Sequence, residues 1–364
     1  MLNIDRRYFY HFDWISFALT ITLSIIGLAF VYSSTTNEHV AYSVFYKKQL
    51  FGFLSGLALY FSFCFVDFRA LCRSGYFIYF LVMGLLVFTL IKGRIGMGAQ
   101  RWIDLKIIRF QPSEVAKLFF PAFLTYYLYT ENDVPVYRLD SFYPILGILT
   151  FSSILILKQP DLGTAIIFFT TGLVMLWLAG ISPKFFKWGL LCALLCAPLG
   201  WQVLKPYQKK RIAVFLGAGE SHKERYQIEQ SKIAIGSGGM WGKGFTKGTQ
   251  NTLLFLPESR TDFIFSVICE EWGFIGALFI LLLYSTLFFR IIFQLQTVKT
   301  FFAQLLAAGL LISIMLSAFI NIAMISGLLP IVGIPLPLLS YGVTSLWITL
   351  ASLGWIQGIT MRKF

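Results

Sequence analysis

Charge is what this chain has least of. Only 13% of its 364 residues are Asp, Glu, Lys or Arg, and the acids are the scarcer half, 17 against 30 basic residues. His11, His39 and His222 are scattered, so neither a zinc site nor a Ser-His-Asp arrangement can be assembled from them. The five cysteines, Cys64, Cys72, Cys192, Cys196 and Cys269, show no metal or disulfide spacing. Cys192 and Cys196, four apart in an apolar stretch, read as small packing residues. A chain so poor in charge and 57% hydrophobic falls outside the soluble globular class.

Long apolar runs take the place of charge. They cover roughly 14–33, 49–66, 75–91, 113–130, 142–157, 162–180, 185–204, 263–289, 301–325 and 338–359. As helices, runs of about 17–25 residues cross a hydrocarbon layer roughly 30 Å thick. The expectation is an all-α, polytopic membrane protein of about ten transmembrane helices. It forms a single transmembrane domain over 1–364, with one large extracytoplasmic loop, 205–262, before the eighth helix. The first run is too long for a signal-peptide core and lacks a small-residue cleavage site, so it reads as a retained span. An even number of spans puts both termini on one side, read as cytoplasmic.

With that orientation the outer loops stay basic: Lys47, Lys48, Arg94, Arg101, Lys106 and Arg109 lie in short ones, and the long loop adds more. Two readings stand. The cations are solvated or meet lipid headgroups, or they receive an anionic substrate such as a pyrophosphate or lipid-linked phosphate, which guanidinium forks and ammonium charges both suit. No nucleic-acid partner is expected.

Five stretches carry the candidate chemistry. In GRIGMGAQRWIDLKIIRFQPSEVAK, residues 93–117, Arg101 and Trp102 sit in a loop, and the indole suits a membrane interface. Gln111-Pro112-Ser113 reads as a helix start, which puts Glu114 and Lys117 on one face, either as a structural ion pair or as the wall of a hydrated cavity. In KQPDLGT, Pro160-Asp161 suits a helix N-terminus, where a carboxylate caps and meets the dipole. In the long loop, Gly236-Ser237-Gly238-Gly239 and Gly242-Lys243-Gly244 look like phosphate cradles but are not a P-loop. Ser237 stands where Gly is needed and Gly244 where Ser or Thr is. Such a flexible loop still lets backbone N–H groups approach an anion.

In FLPESRTDFIFSVICEEWGFIG, residues 255–276, Asp262 sits at the start of a long apolar helix, as an ordinary N-cap or as a reactive carboxylate. On one continuous helix Asp262, Ser266, Cys269, Gly273 and Gly276 would fall within about 40° of a line, a small-residue face that packs or lines a cavity. Glu270 and Glu271 are expensive inside a span unless satisfied. In SGLLPIVGIPLPLLSYGVTSLW, residues 326–347, Pro330, Pro335 and Pro337 break the helix at membrane depth, which is tolerated only in a protein-buried or cavity-lining position. The Gly52/Gly56 spacing reads as packing.

Taken together and in order, RWIDL with RFQPSEVAK, KQPDLGTA, the KIAIGSGG-GKG-KGTQ loop, FLPE-TDFIF-EE and GLLPIVGIPLPLLSYG resemble the SEDS (shape, elongation, division and sporulation) family, over most of the chain. GIPLP and GKG with KGTQ are similar to its elongation branch rather than its division branch. The resemblance implies a peptidoglycan glycosyltransferase at the outer face of the bacterial cytoplasmic membrane. It polymerises lipid II into undecaprenyl-linked glycan and releases undecaprenyl pyrophosphate. It implies Asp262 as the catalytic residue and as metal ligand for a divalent cation, Mg or Mn. Arg101, Trp102, Glu114, Lys117, Asp161, Lys243 and Arg260 become substrate-binding candidates. The implied partners are a class B penicillin-binding protein transpeptidase and elongation-complex membrane proteins. Many relatives carry His where this chain has Arg260, which keeps a cation but removes a titratable proton carrier. A lipid II flippase and a non-catalytic scaffold for a transpeptidase remain the alternatives, since charged residues in spans and broken helices suit a translocation path equally.

Overall fold

A computed structural model describes residues 11–35, 42–96, 99–104, 109–131, 142–203, 206–215, 222–253 and 255–362. Lys106 lies outside these residues, as does the side chain of Arg101. The apolar stretches are helical apart from 327–342: α1 Trp14–Thr35, α2 Val44–Phe65, α3 Phe68–Lys92, α4 Pro112–Glu131, α5 Tyr143–Lys158, α6 Leu162–Leu178 and α7 Pro183–Val203. Then come α8 Pro206–Phe215, α9 His222–Ser237, α10 Thr249–Thr252, α11 Ile264–Leu295, α12 Phe301–Ile325 and α13 Val343–Met361. By length and hydropathy α1, α2, α3, α11 and α12 are each able to cross a membrane, and α5 and α6 are shorter apolar helices.

Two expectations are corrected. The 93–110 stretch is not simply loop: β1 Arg94–Gly96, β2 Ala99–Asp104 and β3 Arg109–Phe110 form an antiparallel sheet in the order β1-β2-β3, with Arg94 opposite Trp102 and Ile103 opposite Phe110. Short strands anchored at both ends by α3 and α4 pair because the chain must reverse there without leaving N–H and C=O groups bare. The 205–262 stretch is also largely helical. Its α9 packs along α11, where the Ser231 and Ser266 hydroxyls bond at 2.8 Å and Ser231 donates to the Ile325 carbonyl at 3.0 Å.

The tightest helix pair is α2 with α13. A Cβ on Gly354 would stand 2.2 Å from the Tyr60 carbonyl oxygen, and one on Gly358 2.6 Å from that of Cys64. Gly52 and Gly56 return the contact from α2, against Val343 and Leu350. Small residues let backbones touch where lipid supplies no hydrophobic drive for association. Cys64, Cys72 and Cys269 are buried and unbridged.

At the opposite end from the candidate site, Arg290 of α11 grips Asp13 with both Nε and an Nη nitrogen, 2.8–3.0 Å. Burial pushes the Asp13 carboxyl up, but the bonds from Arg290 and Ser16 outweigh it and hold the carboxyl below its ordinary value. A depressed folded-state pKa contributes stability that is complete above the unfolded carboxylate pKa and is lost as pH falls through the folded one. Asp13→Asn is therefore expected to lower the thermal midpoint at neutral pH by the equivalent of about 2 kcal/mol. The wild type's advantage should shrink below pH ~4, which melting curves of both proteins across pH will check.

Candidate active site

Asp262 lies in the turn before α11 and outside the cap: the N-cap is Phe263, and it makes no side-chain capping bond. The ordinary N-cap reading is thus replaced by a turn residue held in place through its backbone. Pro330, Pro335 and Pro337 prevent α12 from continuing, so 327–342 runs as irregular chain whose buried polar groups need partners. Side chains from three helices and the turn supply them. Asn321 of α12, fully buried, donates through Nδ2 to the carbonyls of Asp262 (2.9 Å) and Ile334 (2.6 Å). Ser340 Oγ donates to the Thr261 carbonyl (2.6 Å) and accepts from the Leu336 N–H (2.8 Å). The Tyr341 N–H reaches the Arg260 carbonyl (2.9 Å). Gln49 of α2 bonds the Ser340 carbonyl and the Gly342 N–H, and the Tyr284 hydroxyl of α11 donates to the Pro337 carbonyl.

Gly333, at φ +73°, completes the seat: a Cβ there would be 3.5 Å from Asp262 Oδ2. The Asp262 carboxylate, partly exposed, thus faces an irregular segment with no side chain of its own at that point. The Arg260 guanidinium stacks on Phe45 at 4.0 Å, and Phe45 meets Tyr341 edge-on. This leaves the cation oriented by a ring at the mouth of the turn.

Beneath the same segment lies a polar cluster from α4 and α6. Glu114 and Lys117 form the expected pair, 2.7 Å apart and nearly buried. Asp161 caps α6 as its sequence suggests, accepting from the Thr164 N–H (3.2 Å). Its other oxygen accepts from Gln111 Nε2 (2.6 Å) and Ser113 Oγ (3.3 Å), so the two helix starts are tied together. Asp161 is 1% exposed. Gly163 joins the cluster to the Asp262 seat, since a Cβ there would be 2.5 Å from Ile334 and 2.9 Å from the Val332 carbonyl. Trp102 stands half-buried in β2.

The glycine-rich loop resolves differently from its sequence appearance. Helix α11 is broken at Gly273 (φ 67°, ψ −163°), which ends the expected single line of small residues from Asp262 to Gly276. In an unbroken helix the Phe274 and Ile275 N–H groups would donate to the Glu270 and Glu271 carbonyls. Here they donate to the Gly239 and Met240 carbonyls, and the two vacated carbonyls accept from the N–H groups of Lys243 and Gly244, all at 2.8–3.2 Å. The loop is spliced into the helix ladder and leaves none of these four groups bare. A buried group left unpaired would otherwise cost about 1–3 kcal/mol.

Glycine is required where the backbones meet. A Cβ on Gly242 (φ +79°) would lie 2.1 Å from the Glu271 carbonyl oxygen, and one on Gly238 2.0 Å from that of Cys269. The anions this loop cradles are the chain's own. Glu270 Oε1 accepts from Lys243 Nζ (2.6 Å), Thr249 Oγ1 (3.0 Å) and the Gln250 N–H (3.1 Å). Glu271 accepts from the Thr246 N–H (2.9 Å) and Ser33 of α1 (2.5 Å). Lys243, expected as a substrate-binding cation, is engaged with a carboxylate that is 0% exposed. Glu270 and Glu271 were visible in the sequence only as costly; the glycines upstream were the signal that something would close around them.

Among the described residues no three His, Cys, Asp or Glu side chains converge as a metal cage. Asp262 offers a single carboxylate. That donor set fits Mg²⁺ or Mn²⁺ shared with substrate phosphates and water, the usual way Mg²⁺ is held, and does not fit a site built wholly of protein.

A polytopic helical protein with an aspartate clamped through its backbone over a proline-broken segment defines the class. The profile of the FtsW/RodA/SpoVE cell cycle proteins matches residues 13–363, and the chain belongs to that family. It is 40% identical over 296 residues to the peptidoglycan glycosyltransferase MrdB of Escherichia coli K12, covering 79% of this chain and 78% of that one. It is 35% identical over 349 residues to the MrdB of Helicobacter pylori J99, covering 94% and 88%. Its fold matches the rod shape determining protein RodA of Thermus thermophilus at TM-score 0.73 and 26% identity, over 97% of this chain and 98% of that one. A chain of a peptidoglycan synthase complex that coordinates polymerization and crosslinking matches at TM-score 0.80 and 27% identity, again over 97% and 98%.

Proposed function

We propose that this chain is a peptidoglycan glycosyltransferase that polymerises lipid II at the outer face of the bacterial cytoplasmic membrane during cell elongation. The observation that carries the reading is the Asp262 carboxylate, partly exposed above Gly333 and clamped through its backbone by Asn321. In the reaction the acceptor sugar's 4-hydroxyl oxygen bonds to the donor's anomeric carbon. The bond from that carbon to the pyrophosphate oxygen breaks, and undecaprenyl pyrophosphate leaves with the electron pair. Asp262 takes the hydroxyl proton, the role a positioned carboxylate fills in general base catalysis. Arg260, oriented by Phe45, and the basic outer loops, Arg101 among them, neutralise the leaving group. Trp102 and the Glu114–Lys117 pair wall the substrate cavity.

The reading takes about ten spans in one transmembrane domain, with both termini cytoplasmic and 205–262 outside. It also takes a class B penicillin-binding protein as the crosslinking partner, within an assembly of elongation-complex membrane proteins. Likeness to a chain of a synthase complex supports that partnership.

Purified protein given lipid II and no other enzyme tests the proposal. Glycan polymer on a gel is the expected result. Translocation without polymer would make the protein a flippase instead, and neither outcome, also in the presence of the transpeptidase, would leave a scaffold. A divalent cation, if bound, would be held by Asp262 and the substrate pyrophosphate and would supply charge neutralisation there. EDTA is expected to lower the polymerisation rate at least tenfold and added Mg²⁺ or Mn²⁺ to restore it; an unchanged rate removes the metal role.

A further inference from the structure

We infer that Lys243, Glu270 and Glu271 are positioning residues for Asp262, acting through the break in α11. The inference rests on the catalytic reading of Asp262. The first segment of α11, Ile264–Trp272, is fixed at two ends. Asn321, Ser340 and Tyr341 hold its leading turn by backbone carbonyls. At the other end the 238–250 loop is spliced into the Gly273 break, and the buried carboxylates of Glu270 and Glu271 hold that loop closed.

Gly273 is the one residue of α11 with non-helical φ/ψ, so it is the pivot about which the segment strains against its leading anchors when the loop is released. Asp262 is 11 residues away, a lever of ~16 Å at 1.5 Å per residue. A 10° change at the break therefore moves the carboxylate by ~3 Å, and a misplacement of 1 Å already costs about 10²-fold in rate. Ser266, bonded to Ser231 of α9, blocks the same swing from the side. The lysine that resembles a phosphate ligand in sequence thus works without touching substrate: its ammonium closes the loop by bonding both Glu270 and Thr249 (2.8 Å).

Steady-state polymerisation of lipid II by full-length protein with its transpeptidase partner tests this, on wild type, Asp262→Asn, Lys243→Met, Lys243→Arg, Glu270→Gln and the Lys243→Met/Glu270→Gln double variant. Lys243→Met and Glu270→Gln are each expected to lower kcat about tenfold or more, with KM for lipid II within twofold. The double variant should be no worse than the poorer single, because both act through one contact. Lys243→Arg should recover most of the rate. A raised KM with kcat held in Lys243→Met would return the lysine to substrate binding and overturn the inference, as would full kcat in Glu270→Gln. Activity in Asp262→Asn would instead overturn the catalytic reading on which it rests. Hydrogen exchange on the wild type needs no variant to fold. The amides of Lys243, Gly244, Phe274 and Ile275 should exchange slowly and as one unit with 264–272, and fast exchange of Phe274 and Ile275 would refute the splice.

Discussion

Asp262→Asn is expected to leave the protein folded and to lower glycan polymerisation by about 10²–10⁴-fold, the span a positioned general base contributes. The fold should survive because backbone bonds anchor this turn: the Asp262 carbonyl accepts from Asn321, the Thr261 carbonyl from Ser340 and the Arg260 carbonyl from the Tyr341 N–H. None of these bonds involves the carboxylate. Asparagine matches aspartate in shape but can neither take a proton from the acceptor hydroxyl nor serve as an anionic metal ligand. Gel analysis of polymer from lipid II, beside a detergent melting curve, separates lost chemistry from lost fold. Undiminished polymer from a well-folded variant would take the carboxylate out of the reaction.

Lys117→Ala is expected to damage stability first. Glu114 and Lys117 are 4% and 9% exposed and 2.7 Å apart, and removing one partner strands a charge in a low-dielectric interior at about 3–5 kcal/mol. Glu114 at the first turn of α4 suits the helix dipole, whereas Lys117 there depends on its partner. The paired change Glu114→Gln with Lys117→Met removes both charges and should recover most of the melting temperature. It should not recover polymerisation, because an apolar wall cannot hold a hydrated anionic substrate. Full activity in this stable double variant would make the pair purely structural.

The long apolar runs determined the helices, because a continuous apolar run of about 20 residues satisfies its backbone in lipid within itself only as a helix. Local chemistry was equally legible at Asp161, where a carboxylate three residues before a free helix N–H caps it, and at Glu114 and Lys117, whose spacing alone puts them together. These are short-range facts, decided within one turn of chain. The sheet at 94–110 and the helical content of 205–262 were not legible, since short strands and polar helices are stabilised by what they pack on rather than by pattern.

Only the tertiary structure decided what the glycines and acids were for. Gly238, Gly242 and Lys243 carry the signature of an anion cradle, and nothing in the sequence says that the anions are Glu270 and Glu271 of the same chain. The answer depends on a backbone-to-backbone approach between segments about thirty residues apart. The same holds at Asp262. Its acidity and its place before an apolar helix belong to the sequence. That its carboxylate stands over Gly333, with its own carbonyl pinned by a buried asparagine from another helix, follows from one segment with three prolines having to find partners for backbone groups that a helix would have paired.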